Sequence, residues 1–147
     1  MAYLVTGASG FIGSRLCLSL AEQGKPVIAF CRRPPKPDSG LNQAGIEIAI
    51  GDVQDRDTLA AAMRKCTSCF HLAAVARKWS RNQDEYDRVN VKGTLNVLKA
   101  AVDHGISRLV FTSTAGIFGA SGDETITELW EPSARLRTRY ERTKLEA

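Results

Sequence analysis

Long apolar runs are missing from this sequence. No stretch approaches the roughly 18 consecutive apolar residues that cross a bilayer, and the apolar start from Met1 to Val5 runs straight into a glycine-rich turn. Neither a membrane partner nor a signal peptide is read from it. Cysteine is scarce as well: Cys17, Cys31, Cys66 and Cys69 lack the spacing of an extracellular disulfide framework, which points to a reduced, cytoplasmic setting. Cys66-x-x-Cys69 has no second Cys/His pair to complete a zinc site, and it bridges a helix end and a strand start rather than opening a helix. Both are read as small buried hydrophobes, and no metal site is assigned. Charge of one sign does not accumulate either, because 20 Lys+Arg stand against 16 Asp+Glu and the two signs are interspersed, leaving a net +4. No nucleic-acid partner follows from that balance.

What is present is the composition of an ordinary globular domain, 44% hydrophobic and 24% charged over 147 residues, which is one domain's worth of chain. Short apolar runs alternate with amphipathic ones, the pattern of a parallel sheet covered by crossover helices. Strands are expected at Ala2 to Val5, Val27 to Cys31, Ile46 to Ile50, Ser68 to Leu72 and Arg108 to Thr112. Helical spacing runs from Ile12 through Leu16 and Leu20 to a stop at Gly24, and an alanine-rich helix is expected from Asp57 to Lys65. The longest helix is expected from Asp84 to His104 on the stripe Val91, Leu95, Leu98, Val102, and a last one from Arg135 to Ala147. Prolines in Arg32-Arg33-Pro34-Pro35-Lys36-Pro37 exclude regular structure after the second strand, apart from a short turn before Gly45. The expected fold class is α/β, a Rossmann-type doubly wound parallel sheet over residues 1–147.

The chemistry is carried by a few constellations. Gly7-Ala8-Ser9-Gly10-Phe11-Ile12-Gly13 follows a strand and opens a helix: Gly7 allows a tight turn, Gly10 lets backbone approach a pyrophosphate, and Gly13 removes a side chain where helix and strand pack. The helix start, at Phe11 and Ile12, then offers N–H groups and a positive dipole end to phosphates. At the end of the second strand, where an acidic residue would bind a ribose and repel a 2′-phosphate, stands Cys31, followed by Arg32, which can grip such a phosphate. NADP is therefore favoured over NAD. Asp52, followed by Val53, is placed to accept from the adenine amine, and Asp55 to cap the next helix. The small residues Ala73 and Ala74 let a cofactor lie against backbone, while His71 is read as a packed strand histidine. Hydroxyls, Thr114 among them, gather at the carboxyl edge of the fifth strand, where open α/β sheets bind ligands. Farther on, Tyr140 and Lys144 are one helical turn apart, so the ammonium can favour phenolate and make the tyrosine a usable acid/base.

Taken in order, Thr6-Gly7-x-x-Gly10-x-x-Gly13, Gly51-Asp52-Val53-x-Asp55, His71-Leu72-Ala73-Ala74, Asn90-Val91-x-Gly93-Thr94, Phe111-Thr112-Ser113-Thr114-Ala115 and Tyr140-x-x-x-Lys144 resemble the N-terminal half of an extended short-chain dehydrogenase/reductase, in the epimerase/dehydratase and dihydroflavonol-reductase-like branch. The resemblance implies Thr114 as the catalytic Ser/Thr, Tyr140 as acid/base, and Lys144 as the residue that binds the nicotinamide ribose and tunes the tyrosine. Asn90 matches a family position counted with the cofactor-binding set. Family members run to about twice this length, so a C-terminal substrate-binding lobe is expected to be absent from these 147 residues, with the sheet stopping after its fifth strand and the Tyr-x-x-x-Lys helix. The implied activity is NAD(P)-dependent hydride transfer between nicotinamide and a carbonyl or alcohol carbon, with this chain by itself expected to be inactive. The alternatives are a nucleotide-sugar epimerase or dehydratase and a non-catalytic NAD(P)-binding or interaction module. The resemblance also implies a homodimer, packed through the long and last helices.

Overall fold

The computed structural model describes residues 1–42, 45–77, 79–119, 125–133 and 135–147. Five strands, β1 (Ala2–Thr6), β2 (Val27–Cys31), β3 (Ile46–Ile50), β4 (Cys66–His71) and β5 (Arg108–Phe111), form one parallel sheet in the order β3-β2-β1-β4-β5. The chain winds outward from β1 in one direction and then, after β3, crosses back to β4 on its other side. That reversal opens a crevice at the carboxyl ends of β1 and β4, where Thr6 lies opposite His71.

The central strands are apolar on both faces because both faces are covered. Leu4, Ile28 and Phe30 enter one core with Leu59, Met63 and Val97, while Val5, Ala29 and Cys31 enter a second with Ala8, Cys17 and Leu41. The second face is covered by α1 (Phe11–Glu22), and the first by α2 (Arg56–Met63) and α4 (Gly93–Asp103). Between β2 and β3 the proline-rich stretch forms only a single tight turn, Pro37–Ser39, and Leu41 fills the space beside it. Asp55 caps α2, as expected, its carboxylate accepting from the N–H groups of Asp57 and Thr58. Cys66 and Cys69 both lie buried within β4 itself, and burial pushes their thiols up to about 11 and about 12.

Two helices depart from the expected bounds. The span from Asp84 to Asp103 is broken into a turn of α-helix, α3 (Asp84–Tyr86), a π-helical segment (Asp87–Lys92) and α4. The widened turn holds Asn90, whose side chain is turned into the protein to serve Val75 and Thr143. The inward face of α4 is made of Gly93, Thr94, Val97, Ala100 and Ala101; the apolar stripe seen in the sequence faces solvent, with Leu95 47%, Leu98 39% and Val102 80% exposed. Small inward residues let the helix lie close, since a Cβ at Gly93 would come within 2.7 Å of Val53. The last helix, α5, begins at Arg139 rather than Arg135 and runs to Glu146. Its start is fixed by a capping box in which Thr138 Oγ1 accepts from the Glu141 N–H at 3.1 Å while Glu141 Oε2 accepts from Thr138 N–H at 2.9 Å. The Thr138 N–H first, and the Arg137 N–H with it, hold the Glu141 carboxyl below the usual carboxylate range.

Candidate functional site

The glycine turn between β1 and α1 is dictated by close approaches. Gly7 has φ +68°, and a Cβ there would meet the Ala73 backbone nitrogen at 2.8 Å; at Gly13 it would meet the Gly7 carbonyl oxygen at 2.3 Å. Any side chain at either position would push α1 off the sheet end. The turn is closed by the Gly10 N–H donating to Gly7 O at 2.9 Å. Gly10 is also the N-cap of α1 and supplies no side-chain acceptor, so the N–H groups of the first turn remain available to an anion. Phe11 and Ile12 contribute through that backbone, because their side chains stand out in solvent at 88% and 58% exposure.

From this turn an open cleft of about 200 Å³ runs along the carboxyl ends of the strands. Of the residues named from sequence, Gly7, Gly10, Arg32, Asp52, Val53, Ala73 and Ala74 line it. So do Ser9, Phe30, Gly51, Leu72, Val75 and Val89, which the sequence reading did not single out as site residues. For Phe30 and Gly51 the signal was position at the strand ends: Phe30 is the next-to-last residue of β2, Gly51 directly follows β3, and a Cβ at Gly51 would strike the Phe30 ring at 2.6 Å. Asp52 Oδ1 accepts from the Gln54 N–H at 2.9 Å and from Gln54 Nε2 at 3.3 Å, which orients the carboxylate at the cleft wall.

Behind the cleft lies a buried polar brace. The Thr6 hydroxyl accepts from the Ala73 N–H at 3.2 Å and meets His71 Nδ1 at 2.7 Å, while His71 Nε2 meets Thr94 Oγ1 at 3.0 Å. Burial first, and the Lys144 charge second, push the His71 imidazole down to about 4, so it is neutral at physiological pH. It is a packed strand histidine, as expected. Asn90 is also part of this brace: its Oδ1 accepts from Val75 N–H at 2.7 Å, and its Nδ2 donates to Val75 O at 3.2 Å and to Thr143 Oγ1 at 3.0 Å. It touches the cleft wall from behind, through Val75.

The three candidate catalytic residues occupy the turn after β5 and α5. Thr114 caps the tight turn Ala115–Phe118, its Oγ1 accepting from the Gly116 N–H at 3.2 Å. That turn packs on α5, where a Cβ at Gly116 would come within 3.0 Å of Glu141. Tyr140, half-buried, packs against the core beside α5's first turn. Lys144 is buried, its Nζ lies 3.7 Å from the centre of the Phe111 ring, and desolvation lowers it to about 8. The Asn90–Thr143 hydrogen bond ties this helix to the π-helical segment, so the glycine turn, the cleft and α5 are joined through buried groups.

The model of the NAD-dependent epimerase/dehydratase family matches residues 3–147. The chain belongs to that family. It is an extended short-chain dehydrogenase/reductase by its likenesses as well. A curated relative, the 2-alkyl-3-oxoalkanoate reductase of Stenotrophomonas maltophilia, is 40% identical over 117 residues, covering 80% of this chain and 34% of the relative. Among solved structures, MoeE5 in complex with UDP-glucuronic acid and NAD is 34% identical with a TM-score of 0.86, covering 99% of this chain and 46% of that one. The UDP-glucose 4-epimerase of Thermus thermophilus in complex with NAD is 32% identical with a TM-score of 0.85, at 98% and 47% coverage. The chain thus spans between a third and a half of the length of these relatives.

The family name implies a nicotinamide dinucleotide, and the residues present fit one. Glycines stand where a Cβ would close the turn, the α1 N-terminus has no side-chain cap among the described residues, and the cleft continues to Arg32 and Asp52. These are the parts needed for a pyrophosphate, a ribose and an adenine in that order. No described helix is long and apolar enough to cross a membrane.

Proposed function

We propose that this chain is the dinucleotide-binding part of an NADP-preferring reductase that interconverts a carbonyl and an alcohol. The observation that carries the reading is the joint placement of the glycine cleft and of α5, braced together through Asn90. The bound nicotinamide dinucleotide would supply or accept the hydride. Gly7, Gly10 and the N–H groups of Phe11, Ile12 and Gly13 bind its pyrophosphate, Asp52 and Val53 the adenine end, and Ala73 and Ala74 let it lie against β4. Arg32 lines the cleft beside buried Cys31, which ends β2 at the position where a carboxylate would repel a 2′-phosphate, and this pairing favours a 2′-phosphate.

Tyr140 moves the proton to or from the substrate oxygen, and Thr114 holds that oxygen. Because Thr114 Oγ1 already accepts from Gly116 N–H, its own hydrogen is left to donate. Lys144 holds the nicotinamide ribose and lends its charge to Tyr140. Two copies pair through the exposed Leu95, Leu98 and Val102 face of α4. A cytoplasmic setting belongs to the same reading, with four cysteines present as free thiols.

A second reading, a nucleotide-sugar epimerase or dehydratase in which hydride is taken and returned, is favoured by the solved structures of MoeE5 in complex with UDP-glucuronic acid or UDP-glucose and NAD. Cofactor choice separates the two, since Arg32 argues for the reductase. These 147 residues alone are expected to bind cofactor and to turn it over poorly, because positioning and water exclusion contribute roughly 7–11 kcal/mol to catalysis and need a substrate pocket. The test is NADPH oxidation by the chain over a panel of aldehydes and ketones, beside a longer form carrying a substrate lobe. Activity in the longer form that Tyr140→Phe abolishes is expected. Robust, Tyr140-dependent turnover by the 147 residues alone would contradict the division of labour, and cofactor binding without turnover in either form would leave only a binding module.

A further inference from the structure

We propose that Phe111 is the positioning residue for Lys144: the face of its ring holds the ammonium at the inner side of α5 and keeps it charged there. Lys144 is buried, and its Nζ sits 3.7 Å from the ring centre, well inside the range in which an aromatic face attracts a cation. Of the carboxylates near Lys144 in sequence or packing, Glu146 stands exposed two residues on along α5, and Glu141 and Asp87 are committed elsewhere. Glu141 accepts from the N–H groups of Arg137 and Thr138, and Asp87, which faces α5 from the π-helical segment, is paired with Arg139. On β4 the group coupled to Lys144 is His71, held neutral by burial and by that lysine, so it adds no second charge. Tyr140 lies one turn back on α5. Among the described residues, the Phe111 ring is therefore the group that offsets part of Lys144's desolvation, which lowers it to about 8.

The ring is itself held in place. Phe111 is the last residue of β5, opposite His71 in the sheet register, and its ring stacks on that imidazole at 5.6 Å with the planes 26° apart. His71 is in turn fixed by Thr6 and Thr94. A line of contacts thus runs from the glycine turn through His71 and Phe111 to Lys144. This inference rests on the proposed function for its consequence, the placing of a cation beside the cofactor, but not for its physical content.

The experiment is lysine titration by nuclear magnetic resonance on the cofactor-free chain, with the Lys144 signal assigned by its loss in Lys144→Gln. In the unmutated chain the Lys144 Hε protons should be shifted upfield by the ring current, and Lys144 should titrate near 8. In Phe111→Leu the upfield shift should vanish and the midpoint should fall by roughly 0.5 to 1 pH unit, while Phe111→Tyr should restore both. A folded Phe111→Leu chain with an unchanged midpoint would overturn the proposal. So would normal Hε positions in the unmutated chain, a measurement that needs no variant to fold. Because no cofactor is added, a failure of NADP binding leaves this result standing, and the two can be told apart.

Discussion

His71 Nδ1 lies 2.7 Å from Thr6 Oγ1, so a neutral imidazole on β4 is tied to the strand that leads into the glycine turn. Its other nitrogen is tied to Thr94. In the folded chain this imidazole is pushed down to about 4 from an ordinary 6.5. Between those values the unfolded chain binds the proton and the folded one does not, so stability is complete above pH 6.5 and is lost as pH falls toward 4. A gap of about 2.5 pH units corresponds to ~3 kcal/mol. Denaturant unfolding at pH 7 and pH 4 should show that loss, and His71→Gln should remove most of it. An equal loss in the variant would show that other groups carry the acid sensitivity; Lys144 is not among them, because its titration lies above that window.

Asn90 makes three buried hydrogen bonds, two to Val75 and one to Thr143. Replacing it with alanine leaves a buried N–H and carbonyl without partners, at a cost of about 3 kcal/mol. Hydrogen exchange should quicken first in α5, because the Thr143 tie is what fastens it to the π-helical segment. Stability lost with α5 protection unchanged would contradict the brace.

Two glycines separate steric from conformational cost. Gly13→Ala drives a Cβ to 2.3 Å from the Gly7 carbonyl oxygen, backbone against backbone, and should cost at least about 3 kcal/mol along with cofactor affinity. Gly24 has φ +70° with nothing within 4 Å of an added Cβ, so Gly24→Ala should cost only about 1–2 kcal/mol and leave affinity unchanged. Thermal unfolding with a cofactor titration on each variant checks the pair. Equal effects would mean that the turn is looser than these distances imply.

Periodicity was enough to place all five strands and the glycine turn, because buried parallel strands and strand–turn–helix junctions follow from local pattern. It was silent where one pattern has two physical causes. The stripe from Val91 to Val102 has helical spacing, yet the helix buries Val97, Ala100 and Ala101 and leaves Leu95, Leu98 and Val102 outside. Spacing gives a helix and a face, not what covers the face. The π-helical turn was not legible because its cause, Asn90 reaching Val75 and Thr143, lies in long-range contacts. The same holds for Phe111 under Lys144, which joins a strand end to a helix far along the chain. The start of α5 was legible in principle, since Thr138-x-x-Glu141 is a capping box that the basic run before it obscured.

The outward stripe carries its own prediction. If Leu98 and Val102 meet a second copy, Leu98→Lys should convert a dimer to a monomer in sedimentation equilibrium while leaving the monomer's fold intact. An unmutated chain that stays monomeric at high concentration would remove the dimer from the account.

Cofactor titration is the most direct test of the central claim. The 147-residue chain should bind NADPH saturably, one per chain and more tightly than NADH, because Cys31 ends β2 where a carboxylate would repel a 2′-phosphate and Arg32 lines the cleft beside it. Arg32→Ala should narrow the difference by about 1–3 kcal/mol, the contribution of a charged hydrogen bond. Equal affinity for NADPH and NADH would refute the preference, and a folded chain that binds neither dinucleotide would contradict the account as a whole.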